Sequence, residues 1–325
     1  MKRLKYEAVE LHTHTKNSDG SFERSELLKN AENFGYKAIF ITDHNTNSAF
    51  DTYRQNKSSP IKAFKGFELT TFYGHILILG ASSLYDFTKI KKDNLKTFIE
   101  KRRADDYIAV GLAHPFEEGS PFCTGCHYDF EDVSYEIYDY IELANGPNPQ
   151  DNNANNLAYK LWEKKLLEGY KLAALAGRDW HGLEDMDTNF YVNMLGLESL
   201  DEKEAISAIK NSHTYISMEP ILDFTIKAAD KYLEFGDVTS DPSLDIEFSI
   251  KKGDFLNNKN FHIAPKSLRV INNDKKIFEG PITYESFVRD KIDVENGFVR
   301  FEILGDIKDK FTRLVVTSPI FIKEN

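Results

Sequence analysis

The chain has 325 residues, 41% hydrophobic and 29% charged, enough for one large domain and a smaller one, with no low-complexity tract. Against 41 Lys and Arg stand 52 Asp and Glu, a net charge of −11 that excludes a long-range basic field for nucleic acid. No run approaches the roughly 18 apolar residues of a membrane span, and residues 1–7 carry charges with no apolar stretch behind them, so a cytoplasmic location is expected.

In chain order, short apolar runs at residues 8–11, 38–42, 63–67, 76–79, 107–113, 138–143 and 172–176 read as strands, several of them apolar throughout, as strands covered on both faces are. Helical patterns fill the gaps. One covers 25–34 and ends at Gly35, a second covers 92–103, and a third covers 155–168 with Ala158, Trp162 and Leu166 at i, i+4 spacing. A fourth covers 201–211. Alternating strands and helices predict a parallel α/β sheet or barrel, in which chemistry gathers at the C-terminal ends of the strands.

Near Met218-Glu219-Pro220 the pattern changes. Leu244, Ile246, Phe248 and Ile250 alternate with polar residues, as do Val299, Phe301 and Ile303. Residues 268–271 and 314–317 add strands without an intervening helix. This period-two pattern predicts a C-terminal β-sandwich. The expected organisation is a hydrolase barrel over 1–216 and a β-sandwich accessory domain over 217–325, which could bind glycan, pack on the barrel or mediate dimerisation.

The chemistry sits where the first set of strands should end. His12-Thr13-His14 is followed by Ser18-Asp19-Gly20, Thr42-Asp43-His44-Asn45 closes the second run, and Arg178-Asp179-Trp180-His181 closes the last. Residues i and i+2 of a strand point to one face, so His12 and His14 can aim at one point, as can Asp179 and His181. Glu68, His75 and His114 also stand at strand ends. Six of the nine histidines fall in these places, and with Asp19, Glu68 and Asp179 they make a metal-ligand set more readily than a group of structural histidines. His127, His213 and His262 have no such setting. Imidazoles and carboxylates without thiolate suit Zn, Mn or Fe.

Both cysteines fall in Cys123-Thr124-Gly125-Cys126-His127. The spacing matches c-type haem attachment, but haem attachment requires export, and a loop disulfide or an incidental pair is the preferred reading.

The ordered series HxH…SDG, TDHN, isolated Glu68, Ala113-His114-Pro115 and DxH resembles the PHP (polymerase and histidinol phosphatase) superfamily over residues 6–185. That resemblance implies a distorted (β/α)7 barrel with two or three divalent ions. It implies that His12, His14 and Asp179 hold one ion with Glu68 bridging, that Asp19, His44 and His181 hold a second, and that Glu68, His75 and His114 hold a third. Ile141-Glu142-Leu143-Ala144-Asn145-Gly146, Trp162 and Thr317-Ser318-Pro319-Ile320 resemble a branch that carries a C-terminal β-domain. Two features depart from the family: Arg178 stands where a small residue is usual, and the segment around Cys123 and Cys126 has no counterpart.

The function these residues point to is a metal-dependent phosphoesterase, in which a metal-activated hydroxide cleaves small phosphate mono- or diesters. The rivals are hydrolysis of a carbamate, amide or carboxylic ester, and a catalytically silent metal-binding module. Two residues beyond the ligands are candidates for a catalytic contribution. Asp43, next to a ligand, would orient it more readily than act as an acid. Arg178 would contact a phosphate, or else be a surface or ion-paired arginine. The expected partner is a small anionic, phosphorylated substrate, with no membrane and no long nucleic acid.

Overall fold

The computed structural model describes residues 3–50, 61–117, 128–130, 134–184, 187–256 and 258–324. The Cys123–His127 motif lies outside the described residues. The first part of the chain forms β1 (Lys5–Glu10), α1 (Arg24–Phe34), β2 (Ala38–Ile41), β3 (Lys62–Thr71), β4 (Gly74–Leu79), α2 (Leu95–Asp105), β5 (Ala109–Leu112), β6 (Tyr140–Asn145), α3 (Asn153–Leu167) and β7 (Ala173–Gly177). Then come β8 (Val192–Leu197), α4 (Glu202–Lys210) and β9 (Thr214–Ser217). Strands β10 (Pro220–Ala228), β11 (Lys231–Leu233), β12 (Val238–Thr239), β13 (Ser243–Lys252) and β14 (Ile263–Asn272) follow. The chain closes with β15 (Lys275–Pro281), β16 (Phe287–Asp293), β17 (Gly297–Ile307), β18 (Lys310–Thr317) and β19 (Ile320–Ile322).

Local chemistry explains the elements around the site. Helix α1 opens on a reciprocal cap in which the Glu23 amide donates to Glu26 (2.8 Å). It buries Leu27, Leu28, Ala31 and Phe34, and stops at Gly35, whose φ of +119° suits glycine. Strands β2 and β7 are buried along their whole length, which is why they read as unbroken apolar runs.

The strands run β1-β2-β3-β4-β5-β6-β7 across one sheet. The pairs β1/β2, β2/β3, β5/β6 and β6/β7 are parallel, but β4 is antiparallel to both β3 and β5. This corrects the wholly parallel expectation. Between β3 and β4 the chain turns through Phe72 and Tyr73, with Gly74 at φ +142°, too tightly for a crossover helix. At the far end, a parallel bridge between Thr13 and Trp180 brings the exit of β7 back to the exit of β1. Helix α4 supplies Ala205, Ile206, Ala208 and Ile209 to the apolar cluster of Leu11, Phe40, Leu77, Tyr140 and Leu175.

The other edge of β1 continues antiparallel through β8, β9 and β18, so the C-terminal strands extend the same sheet, which has fifteen strands among the described residues. A four-stranded sheet, β11-β10-β13-β16, packs its buried face into a core that includes Phe34 and Tyr36 near α1 and Phe301 of β17. The fold is therefore α/β with one large mixed sheet, and its core runs continuously past residue 216. Thr317-Ser318 ties the two regions: Ser318 Oγ accepts from the Ala174 amide (2.8 Å) and lies 2.7 Å from Thr214 Oγ1. Among the described residues, no helix is long and apolar enough to cross a membrane.

Candidate metal centre

The ligand-bearing segments are laced together by backbone hydrogen bonds, most of them just beyond the strand ends. Glu68, expected at a strand end, lies within β3, which continues to Thr71, and His75 lies near the start of β4. The His14 amide donates to Trp180 O (3.0 Å) and the Trp180 amide to His12 O (3.1 Å), so the HxH and DxH segments lie side by side. The Thr42 amide donates to Thr13 O (2.9 Å), the Glu68 amide to Thr42 O (3.1 Å), and the Asn45 amide to Glu68 O (2.9 Å). Asn45, His114 and Asp179 each have positive φ (+51°, +22° and +51°), which side chains other than glycine seldom adopt. Such strain concentrates at functional sites.

Glu68 lies at the centre and is wholly buried. Its Oε2 is 3.1 Å from His12 Nε2, 3.4 Å from His14 Nε2 and 3.0 Å from His44 Nδ1; its Oε1 is 2.8 Å from His75 Nδ1 and 3.1 Å from His114 Nε2. Asp179 Oδ1 stands 3.3 Å from His12 Nε2, 3.0 Å from His14 Nε2 and 3.4 Å from His181 Nδ1. Asp19 faces His44 Nε2 (3.4 Å) and His181 Nε2 (3.2 Å). All nine side chains thus meet in one place. His12, His14 and Glu68 form the floor, while Asp19 (58% exposed), His181 (38%) and Asp179 (25%) form the rim.

Among the described residues, three overlapping groups have donor atoms within 4.8 Å of one another: His12, His14, Glu68 and Asp179; His14, Asp19, His44 and His181; and His44, Glu68 and His75. The first has the composition expected for one ion. The second adds His14 to an expected three. The third has His44 where His114 was expected, although His114 reaches Glu68 from the other side.

The chemistry of these donors fits divalent ions. Both ring nitrogens of His14 and of His75, His114 Nδ1 and Asp179 Oδ1 are buried without a hydrogen-bond partner, although several lie close to a carboxylate. Burying so many unpaired polar atoms is costly, and a cation coordinated by them removes the penalty. Without an ion, charge repartitions among them. Burial would lower the His12 pKa, but Asp179, Glu142 and Glu68 outweigh it and hold it well above the usual imidazole range. His114 follows the same balance and rises to about 9. Burial likewise opposes ionisation of Glu68, yet His12, His75 and His114 hold its carboxyl well below the usual range. At His14 burial prevails and the pKa falls.

The two residues expected to act beyond the ligands are placed differently. Asp43 accepts from the Thr15 amide (2.6 Å), Thr15 Oγ1 (2.8 Å) and Ser18 Oγ (2.9 Å), which pins the loop that presents Asp19. Arg178 does not face the cluster. Its buried guanidinium lies 3.7 Å from the Trp180 ring centre, 4.0 Å from Phe190 and 4.4 Å from Phe34, and pairs with Glu184. The expected substrate contact is corrected accordingly: the three rings and Glu184 hold the Arg178 guanidinium in the core, while Asp179, just beyond β7, faces the site.

Two buried carboxylates beside the cluster have no role evident from sequence. Glu10 Oε1 accepts from the amides of Leu11 (3.0 Å), His12 (3.0 Å) and Arg178 (3.1 Å), which fastens β1 to the segment after β7. Glu142 lies 2.9 Å from His12 Nδ1. In sequence, Glu10 is only an acidic residue in an apolar run, and Glu142 only a member of the segment 141–146, with no role attached.

Residues 10–144 match the PHP domain. The match covers 135 of the 325 residues. Over 232 residues it is 25% identical to the DNA polymerase III subunit alpha of Aquifex aeolicus (strain VF5), a match covering 58% of this chain and 20% of that protein. The chain thus spans a fifth of the length of this curated relative. Its fold is similar to a crystal structure from Bacteroides vulgatus ATCC 8482, described as a two-domain protein containing a predicted PHP-like metal-dependent phosphoesterase. That likeness has a TM-score of 0.56 at 15% identity and covers 98% of this chain and 97% of the other. Seven of the nine clustered residues fall inside the matched segment, and Asp179 and His181 return to it from outside through the Trp180 bridge.

Proposed function

We propose that the protein is a metal-dependent hydrolase, a phosphoesterase acting on small phosphate mono- or diesters. The observation that carries this reading is Glu68, a buried carboxylate within 3.4 Å of five imidazole nitrogens and able to bridge ions. The Bacteroides structure of like fold is described as containing a predicted PHP-like metal-dependent phosphoesterase, which supports the same reaction class here.

His12, His14, Asp19, His44, Glu68, His75, His114, Asp179 and His181 would hold two or three ions of Zn, Mn or Fe. When bound, such ions supply Lewis acidity and a water acidic enough to give hydroxide near neutral pH. The buried floor fixes its donors in advance, so little reorganisation accompanies reaction. The exposed rim of Asp19, His181 and Asp179 is the side from which a small anionic substrate enters. Asp43 keeps Asp19 at that rim by holding its loop. In domain terms the reading assigns a seven-stranded β/α barrel to residues 1–216 and an accessory β-sandwich to 217–325.

A panel of nitrophenyl phosphate, a phosphodiester and a nitrophenyl carbamate tests the substrate class with the Zn- and Mn-loaded protein. Chelator-sensitive turnover of the phosphates is expected. Turnover of the carbamate alone would overturn the phosphoesterase reading and leave the metal centre intact.

A further inference from the structure

We propose that Glu142 is the positioning residue of the cluster, fixing His12 and His114 through one shared carboxylate. This inference rests on the metal reading above. Glu142 lies on β6, is 1% exposed, and touches none of the three donor groups as a ligand. Three donors converge on it. His12 Nδ1 is 2.9 Å from Oε1, the His114 amide donates to Oε2 (3.0 Å), and Asn145 Nδ2 donates to Oε2 (3.1 Å).

The arrangement has two consequences. A proton held on His12 Nδ1 by the carboxylate leaves Nε2 as the free donor, and Nε2 is the atom 3.1 Å from Glu68 and 3.3 Å from Asp179. The bond to the His114 amide holds that residue at φ +22°, a conformation histidine would otherwise leave. One carboxylate therefore sets the ring of one ligand and the backbone of another. Asn145 is braced in turn: its amide donates to Asn155 Oδ1 (2.9 Å) on α3.

Only an acceptor-only group satisfies all three donors. Glutamine offers one oxygen and turns an NH2 toward a donor. The carboxylate is also walled in by Gly177, where a Cβ would overlap Glu142 Oε1 and Cδ. Gly177 does not need its glycine for backbone reasons, since it is absent from the positive-φ positions. Gly177→Ala therefore displaces the carboxylate without changing its chemistry.

The test is Zn²⁺ affinity by competition with a chromophoric chelator, read beside the His12 tautomer by NMR of ¹⁵N-histidine-labelled, Zn-loaded protein. Glu142→Gln is expected to weaken the affected ion about 10–100-fold and to release His12 from its Nδ1–H form. Gly177→Ala is expected to change both readouts in the same direction, and it decides the matter if Glu142→Gln does not fold. Wild-type affinity together with an unchanged His12 tautomer in a folded Glu142→Gln protein would overturn the assignment. A wild-type protein that binds no Zn²⁺ would instead overturn the metal reading, and the Glu142 role with it.

Discussion

Replacing Arg178 by alanine separates a structural role from a substrate contact. The substitution removes a guanidinium that touches three aromatic rings at 3.7–4.4 Å and leaves Glu184 without its partner. Cation–π contacts contribute roughly 0.5–1 kcal/mol each at exposed sites and about 2 kcal/mol when desolvated. An ionic partner left alone in a mostly buried setting costs about 1–3 kcal/mol. These terms share one side chain and do not simply add, so a loss of about 3–5 kcal/mol is expected. Arg178→Met keeps much of the packing and loses the charge, and should fall between wild type and alanine. Urea unfolding of Zn-loaded protein measures the loss, and steady-state kinetics on nitrophenyl phosphate measure KM. The expected result is a large drop in stability with KM within about twofold of wild type. Wild-type stability with a KM raised about tenfold or more would place the guanidinium on the substrate and refute this account of it.

Other outcomes follow from the same geometry. Asp43→Ala frees the Thr15–Ser18 loop and should weaken metal binding at the Asp19 rim while leaving the floor loaded; full stoichiometry and unchanged affinity in a chelator titration would count against the pinning role. Metal binding should release protons at pH 7, because burial is outweighed at His12 and His114 by their carboxylates, His114 lies at about 9, and the ion must displace those protons. Calorimetry in buffers of different ionisation enthalpy checks this, and the absence of proton release would contradict it. By the same sign, a raised imidazole pKa stabilises the metal-free protein below the ordinary value near 6.5 and ceases to do so as pH rises through about 9. The metal-free melting temperature should therefore fall across that interval.

Much of the site was legible because its ligands sit at the ends of apolar runs, where i, i+2 alternation aims two side chains together. The setting of Arg178 was not legible, because the rings that hold it come from Phe34, Trp180 and Phe190, two of them distant in sequence or in another element. Nor was the role of Glu142: it stands out in the segment 141–146, but its contact with His12 spans 130 residues. Strand β8 escaped notice because Asn193 interrupts its apolar run. Its side-chain amide takes the place of a neighbouring strand, accepting from the Ala176 amide and donating to Ala176 O, each at 2.8 Å. The edge strand β15 is mostly exposed and lysine-rich, which protects an edge but erases its strand signal. The continuity of the sheet through β9 and β18 depends on a pairing between segments about a hundred residues apart, which no local pattern encodes.

The most direct measurement is elemental analysis of the purified protein after loading with Zn²⁺ or Mn²⁺ and desalting, alongside His12→Ala and Asp179→Ala. The account predicts two or three tightly held ions in the wild type, with fewer ions and no chelator-sensitive turnover in folded variants. A folded wild type that retains no ion, or a His12→Ala protein with full metal content and wild-type turnover, would contradict it.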